Sequence, residues 1–168
     1  MRATRERSSG SRFVIDKTPL NYLYIGLIAK ALPQAKIIHV EREPMDVGFA
    51  MYKTLFRMGY PFSYDLGEIG RYMRAKSALM EHWRALLGDK IIEVSYETLV
   101  ANQESESRRL IDAIGVEWRD ECLAFHKNAA PAATASAAQV RKPIYASSVG
   151  KWRAYEKHLG VLSEALQG

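Results

Sequence analysis

The stretch Lys36-Ile-Ile-His-Val-Glu-Arg-Glu-Pro-Met-Asp46 decides how the chain folds. Residues 36–40 form a short, largely β-branched apolar run, which reads as a buried strand. Pro44 stands where a first helical position would fall, because its fixed φ suits helix entry and its missing N–H is not needed there. Asp46 lies in the first turn, facing the positive end of the helix dipole. A helix is therefore predicted over 44–58. A strand that turns so directly into a helix is the building unit of a parallel sheet.

Working outward, Lys90-Ile-Ile-Glu-Val94 repeats the buried-strand pattern, and Phe13-Val-Ile-Asp16 is a third short β-type run. Helices are predicted over about 20–32, ending before Pro33, and over 67–87. In the latter, Ile69, Met73, Met80, Trp83 and Leu87 recur at helical spacing until Gly88. Further helices are expected over 104–114, 118–127 and 147–158. Residues 59–67 read as an aromatic loop, and 129–138 as a small-residue connection that is either mobile or an ordered crossing of a site. Three strands alternating with helices predict an α/β layer architecture with a mostly parallel sheet. Ligands of such sheets bind beyond the carboxyl ends of the strands. The exits are 16–18, 41–43 and 95–97.

The 168 residues are 48% hydrophobic and 26% charged, in the range of one globular domain. A chain of this size buries about 70% of its unfolded surface. The single cysteine, Cys122, excludes a disulfide scaffold and a cysteine-rich zinc site. The longest apolar stretch, residues 23–29, is far short of the roughly 20 residues of a membrane span. No apolar segment backs the N-terminal charges as in a signal peptide, so a cytoplasmic location is the expectation.

Lys and Arg total 24 against 19 Asp and Glu, a formal net charge of +5. Residues 1–12 hold Arg2, Arg5, Arg7 and Arg12 against Glu6, and 139–158 hold Arg141, Lys142, Lys151, Arg153 and Lys157 against Glu156. The excess is therefore terminal. A nucleic-acid surface would spread basic charge over a face of the fold, whereas two short clusters suit a small polyanion. Residues 1–11, rich in Ser and Arg, read as a flexible basic lead, and residues 12–168 as the domain.

Arg42 follows a strand and precedes Pro44, beside the free N–H groups of the next helix, which outlines a phosphate site. The alternative is an arginine paired with Glu41, Glu43 or Asp46. Lys17 and Tyr96 stand at the other two exits. Each alone reads as structural or solvent-facing; together with Arg42 they offer charge for phosphates and a ring for a base.

DKTPLN (16–21), IIHVEREPMD (37–46), PFSYDLGEIGRYMR (61–74), VSYETLV (94–100) and QVRKPIYASSVGKWRAYEKHL (139–159) resemble, in order and spacing, the carboxyl-terminal part of bacterial sulfotransferases often fused to tetratricopeptide repeats and related to the tyrosylprotein sulfotransferases. The resemblance covers about residues 12–160. It implies a three-layer, P-loop-NTPase-like fold and transfer of a sulfuryl group from 3′-phosphoadenosine 5′-phosphosulfate (PAPS) to an acceptor hydroxyl or amine, leaving adenosine 3′,5′-bisphosphate (PAP). It implies that Lys17 stabilises charge on the moving sulfuryl group and its leaving phosphate, that Arg42 binds the 3′-phosphate, that Tyr96 lies near the adenine, and that Lys151 returns to the nucleotide. Ser136, in a shared Ser-x-x-Gln-Val frame, would assist transfer, and Arg141 and Lys142 lie in the segment for the 3′-phosphate. In-line transfer through a loose transition state asks for positioning and charge stabilisation, and requires no metal.

Two departures follow from the same comparison. Ala50 stands where the family usually has a serine on the 3′-phosphate, a loss of roughly 1.5–3 kcal/mol for one hydrogen bond to a charged group. The family's first strand and glycine- and serine-rich phosphate loop have no counterpart, since Arg7-Ser-Ser-Gly-Ser11 lacks the preceding strand and following helix. That segment also carries the acidic base of the tyrosylprotein enzymes. No base is assigned here: His39 reads as packed, His82 and His126 as surface or satisfied polar groups on predicted helices, and Glu97, although within reach of the site, as fixing the local turn. The alternative function is a PAP-binding module without transfer, or one completed by a second copy or another chain, because an incomplete sheet leaves an open edge. A nucleic-acid partner is not expected, and the acceptor is not legible.

Overall fold

The computed structural model describes residues 13–56, 59–128 and 141–168. It divides into two compact units, Met1–Ala35 and Lys36–Gly168. In the first, a 3-10 turn at Asn21–Tyr24 leads into α1 (Ile25–Ala31). The helix stops there because Pro33 bars helical geometry at Leu32, whose φ of −131° and ψ of 72° are extended.

The second unit opens with β1 (Ile37–Glu41), followed by α2 (Pro44–Tyr52), a 3-10 turn at Pro61–Tyr64, α3 (Leu66–Leu87) and β2 (Ile91–Ser95). Then come α4 (Tyr96–Ala101), α5 (Gln103–Ile114), a 3-10 helix at Lys151–His158 and α6 (Gly160–Gln167). β1 and β2 pair in parallel, with Ile37 opposite Ile91 and Glu41 opposite Ser95. Pro44 opens α2 as its sequence predicts, and Glu43 caps it by accepting the Asp46 N–H at 2.7 Å. The helix ends six residues earlier than expected. The Thr54 hydroxyl donates to the Ala50 carbonyl at 2.6 Å, taking the acceptor that its own N–H would use in a continuing helix, and that N–H turns to Met51 instead. α3 matches its predicted span, capped by Asp65 on the Glu68 N–H and closed by Gly88 at a φ of 53°.

The three-layer, P-loop-NTPase-like expectation is not met. The described residues form a mostly helical fold around one two-stranded parallel sheet. Residues 13–18 take no regular secondary structure, and Phe13, Val14 and Ile15 are exposed, Ile15 at 92%. The physical reason lies in where apolar surface is buried. Ile69, Leu159 and Leu162 form a buried cluster between helices, bordered by Met45, Phe49, Phe62 and Trp152, so helices pack on helices rather than on two sides of a sheet. Two glycines permit that closeness. A Cβ at Gly70 would stand 2.4 Å from the Ala165 Cβ, and one at Gly48 would stand 2.6 Å from Leu162 Cδ2.

The expected helix at 118–127 is two 3-10 turns, Asp120–Cys122 and Phe125–Lys127, and α6 has no counterpart in the sequence reading. Among the described residues no helix is long and apolar enough to cross a membrane.

Candidate functional site

The sheet register sets the site. Because Glu41 is opposite Ser95, the next residue of each strand exit, Arg42 and Tyr96, emerges at the same level. The Arg42 guanidinium lies 5.0 Å from the centroid of the Tyr96 ring, a cation–π arrangement. Glu97 ties the two exits together. One carboxylate oxygen accepts the Glu43 N–H at 2.9 Å, and the other accepts the Ser95 hydroxyl at 3.2 Å. Glu97 thus fixes the local turn, as its position suggests.

Asp46 is 1% exposed, yet its partners come from a distant segment. Its carboxylate accepts the N–H of Gly150 at 2.6 Å and that of Trp152 at 3.1 Å. Gly150 has a φ of 68°, the left-handed region, which presents its N–H and the following ones to one acceptor. Arg42 joins from the other side: Nη2 donates to the Ser148 carbonyl and lies 3.8 Å from Asp46 Oδ2. Its Nε is buried without a hydrogen-bond partner among the described residues. Among the ion-pair partners open to Arg42 in the sequence, the structure selects Asp46, because Glu43 caps α2 and Glu41 pairs with Arg84.

The structure therefore brings together Arg42, Tyr96 and the 148–152 segment, which carries the exposed Lys151. Arg141 and Lys142 are exposed, and the Arg141 guanidinium donates to the Asn128 carbonyl. Lys17 belongs to the first unit, exposed beside Asp16, whose carboxylate accepts Asn21 Nδ2 at 3.1 Å. Ser136 and residues 1–11 lie outside the described residues.

A second polar cluster lies across the paired strands. His39 is buried, with Nδ1 at 2.8 Å from Glu93 Oε2 and 3.6 Å from Glu41 Oε1. The three side chains offer donors within 4.8 Å of one another, the spacing of a metal site. The carboxylates are already engaged: Arg84, on α3, bonds Glu93 through Nε at 2.8 Å and Glu41 through Nη2. A metal would have to displace that guanidinium. The hydrogen bond to Glu93 raises the Arg84 pKa, and burial pushes the nearby Lys76 ammonium down. Burial pushes Glu93 up, but hydrogen bonds from Arg84 and His39, with their charges, outweigh it and hold the carboxyl below its ordinary value. A depressed carboxyl stabilises the fold above its unfolded pKa, and that contribution disappears as pH falls through the folded value. Glu93→Gln is therefore expected to flatten the loss of melting temperature below about pH 4.5. An acid limb identical to that of the unmodified chain would refute this.

The sequence reading did not single out Arg84 as a clamp on the strands or the Asp46 link to Gly150. Arg84 carried a weak signal, the last cationic residue of a helix leading to a strand. The Asp46 link carried none, because its partners are 104 and 106 residues away.

An arginine at a strand exit and helix entrance is thus faced by an aromatic ring and crossed by a lysine-bearing segment, which gathers positive charge and a ring face at one edge of the sheet. The family model described as the sulfotransferase family matches residues 1–120, and the chain belongs to that family. It is also similar to a protein of Aquifex aeolicus (strain VF5) described as uncharacterized, with 40% identity over 157 residues. That alignment covers 92% of this chain and 21% of the relative's length.

Proposed function

We propose that the chain is the nucleotide-binding, carboxyl-terminal portion of a PAPS-dependent sulfotransferase of the bacterial kind related to tyrosylprotein sulfotransferases. The observation that carries this reading is Arg42, seated between β1 and α2 under the Tyr96 ring. The Arg42 side chain is partly exposed, and a guanidinium donates charge-assisted hydrogen bonds of the kind that a phosphate takes best.

PAPS supplies the sulfuryl group: its bond to the 5′-phosphate oxygen breaks as one to the acceptor oxygen or nitrogen forms, PAP leaves with the bonding electron pair, and the acceptor's proton passes to water. Arg42 binds the 3′-phosphate and Tyr96 borders the adenine. Lys151, Arg141 and Lys142 add positive charge to the nucleotide. Lys17 neutralises the leaving phosphate, and Ser136 assists transfer. These groups position the reactants and stabilise charge. Labelled sulfate is expected to pass from PAPS to at least one member of a panel of phenols, sugars and peptides, with Lys17→Ala reducing turnover by about tenfold or more. No turnover above that of the Lys17→Ala chain would sink the catalytic claim.

A second reading, a module that binds PAP without transfer or is completed by a second copy or another chain, draws on β1, which among the described residues pairs only with β2 and so leaves its other edge open. Light scattering separates the cases, because a clean monomer that turns over PAPS leaves nothing to complete.

A further inference from the structure

We propose that Asp46 is a positioning residue of the nucleotide site: its carboxylate latches the 148–152 segment across the entrance of α2 and so holds Lys151 where it serves the anion at Arg42. The inference rests on the PAP-binding reading above, but the latch itself has an independent readout.

A carboxylate that is 1% exposed needs strong partners, since burying an ionised oxygen without donors is costly. Asp46 finds its donors in the segment that carries Lys151. Its two oxygens take the N–H groups on either side of Lys151, at Gly150 (2.6 Å) and Trp152 (3.1 Å). Those groups open the 3-10 helix Lys151–His158, whose own N-terminal residue provides no side-chain cap. Asp46 therefore does from another element what a cap does locally. Arg42 closes the arrangement by donating to Ser148. The residue between the two latched N–H groups is the exposed lysine, so the latch fixes the stem of a cation whose head remains in solvent. Trp152 then packs against the buried cluster of Ile69, Leu159 and Leu162, which anchors the far side of the latch.

Asp46→Asn keeps the shape but replaces one of the two accepting oxygens with an NH2 group, which sets a donor against one of the two N–H groups. Hydrogen exchange by NMR on the 168-residue chain is expected to show Gly150 and Trp152 amides losing protection in this variant, while Val94 and Met80 amides keep theirs. PAP affinity, by calorimetry at a temperature where both chains are folded, is expected to fall about tenfold or more. Lys151→Ala is expected to weaken PAP binding in the unmodified chain and to have little further effect in the Asp46→Asn background, a non-additivity that a merely structural role would not produce. If Asp46→Asn does not fold, Gly150→Ala attacks the latch from the other side, because its φ of 68° disfavours a side chain.

Unchanged protection at Gly150 and Trp152 would overturn the latch. Lost protection with unchanged PAP affinity, or with an undiminished Lys151→Ala effect, would overturn the positioning role while leaving the nucleotide reading intact. If the unmodified chain binds no PAP, the nucleotide reading and the positioning role fall together, and the amide protection still decides whether the latch exists.

Discussion

Arg42→Ala is expected to weaken PAP binding by about 100-fold while leaving a folded chain. The estimate follows from what the side chain would give a phosphate: charge-assisted hydrogen bonds worth roughly 1.5–3 kcal/mol each, or about 10- to 150-fold. The truncation also removes the cation from the Tyr96 ring and the donor from Ser148. Asp46 keeps its two N–H partners, which is why unfolding is not the expected outcome. Calorimetric titration with PAP, paired with thermal melting, separates binding from stability. Arg42→Lys refines the test, because a lysine keeps the charge but not the planar fork, and recovery should be partial. A well-folded Arg42→Ala chain that binds PAP as tightly as the parent would remove the central residue from the proposal.

The largest effect on stability is expected from Leu162→Ala. Leu162 is fully buried and seats on Gly48, which has no side chain with which to fill the space left behind. Leucine-to-alanine changes in cores cost about 2–5 kcal/mol, rising with the cavity that persists, so this site should lie in the upper half of that range. Denaturant unfolding should show a lower midpoint with the slope preserved. A loss below about 1 kcal/mol would mean that α2, α3 and α6 close over the gap, contrary to the rigidity implied by the Gly70 contact with Ala165.

The parts of the fold visible in the sequence were those with strong local periodicity. Both paired strands and α3 follow from apolar spacing, with Pro44 and Gly88 marking a start and a stop. The carboxyl-terminal region was harder to read because its period changes. In the 3-10 helix, Trp152 and Tyr155 recur every three residues rather than every 3.6; Trp152 joins the core and Tyr155 stacks on Phe49 at 4.6 Å. The expected third strand failed for a related reason. Apolarity at residues 13–15 satisfied a strand pattern, but pairing decides a strand, and pairing is not a local property. At the site, Arg42 and Tyr96 were legible because each follows a strand directly. The carboxylate that organises the surrounding chain was not, because its partners lie more than a hundred residues away.

The parallel register of β1 and β2 has a consequence for how such a site can change. A slip of one residue would separate Arg42 from Tyr96, and it would also turn Ile91 and Val94 out of their buried positions and part His39 from Glu93. The spacing of the two exits is thus inherited with the hydrophobic interior, and no tolerated local substitution adjusts it. Altered ligand preference in descendants or redesigned versions of this chain should arise instead through the segments that reach the edge from outside the ladder, where residues can be exchanged, lengthened or re-aimed without disturbing the strands.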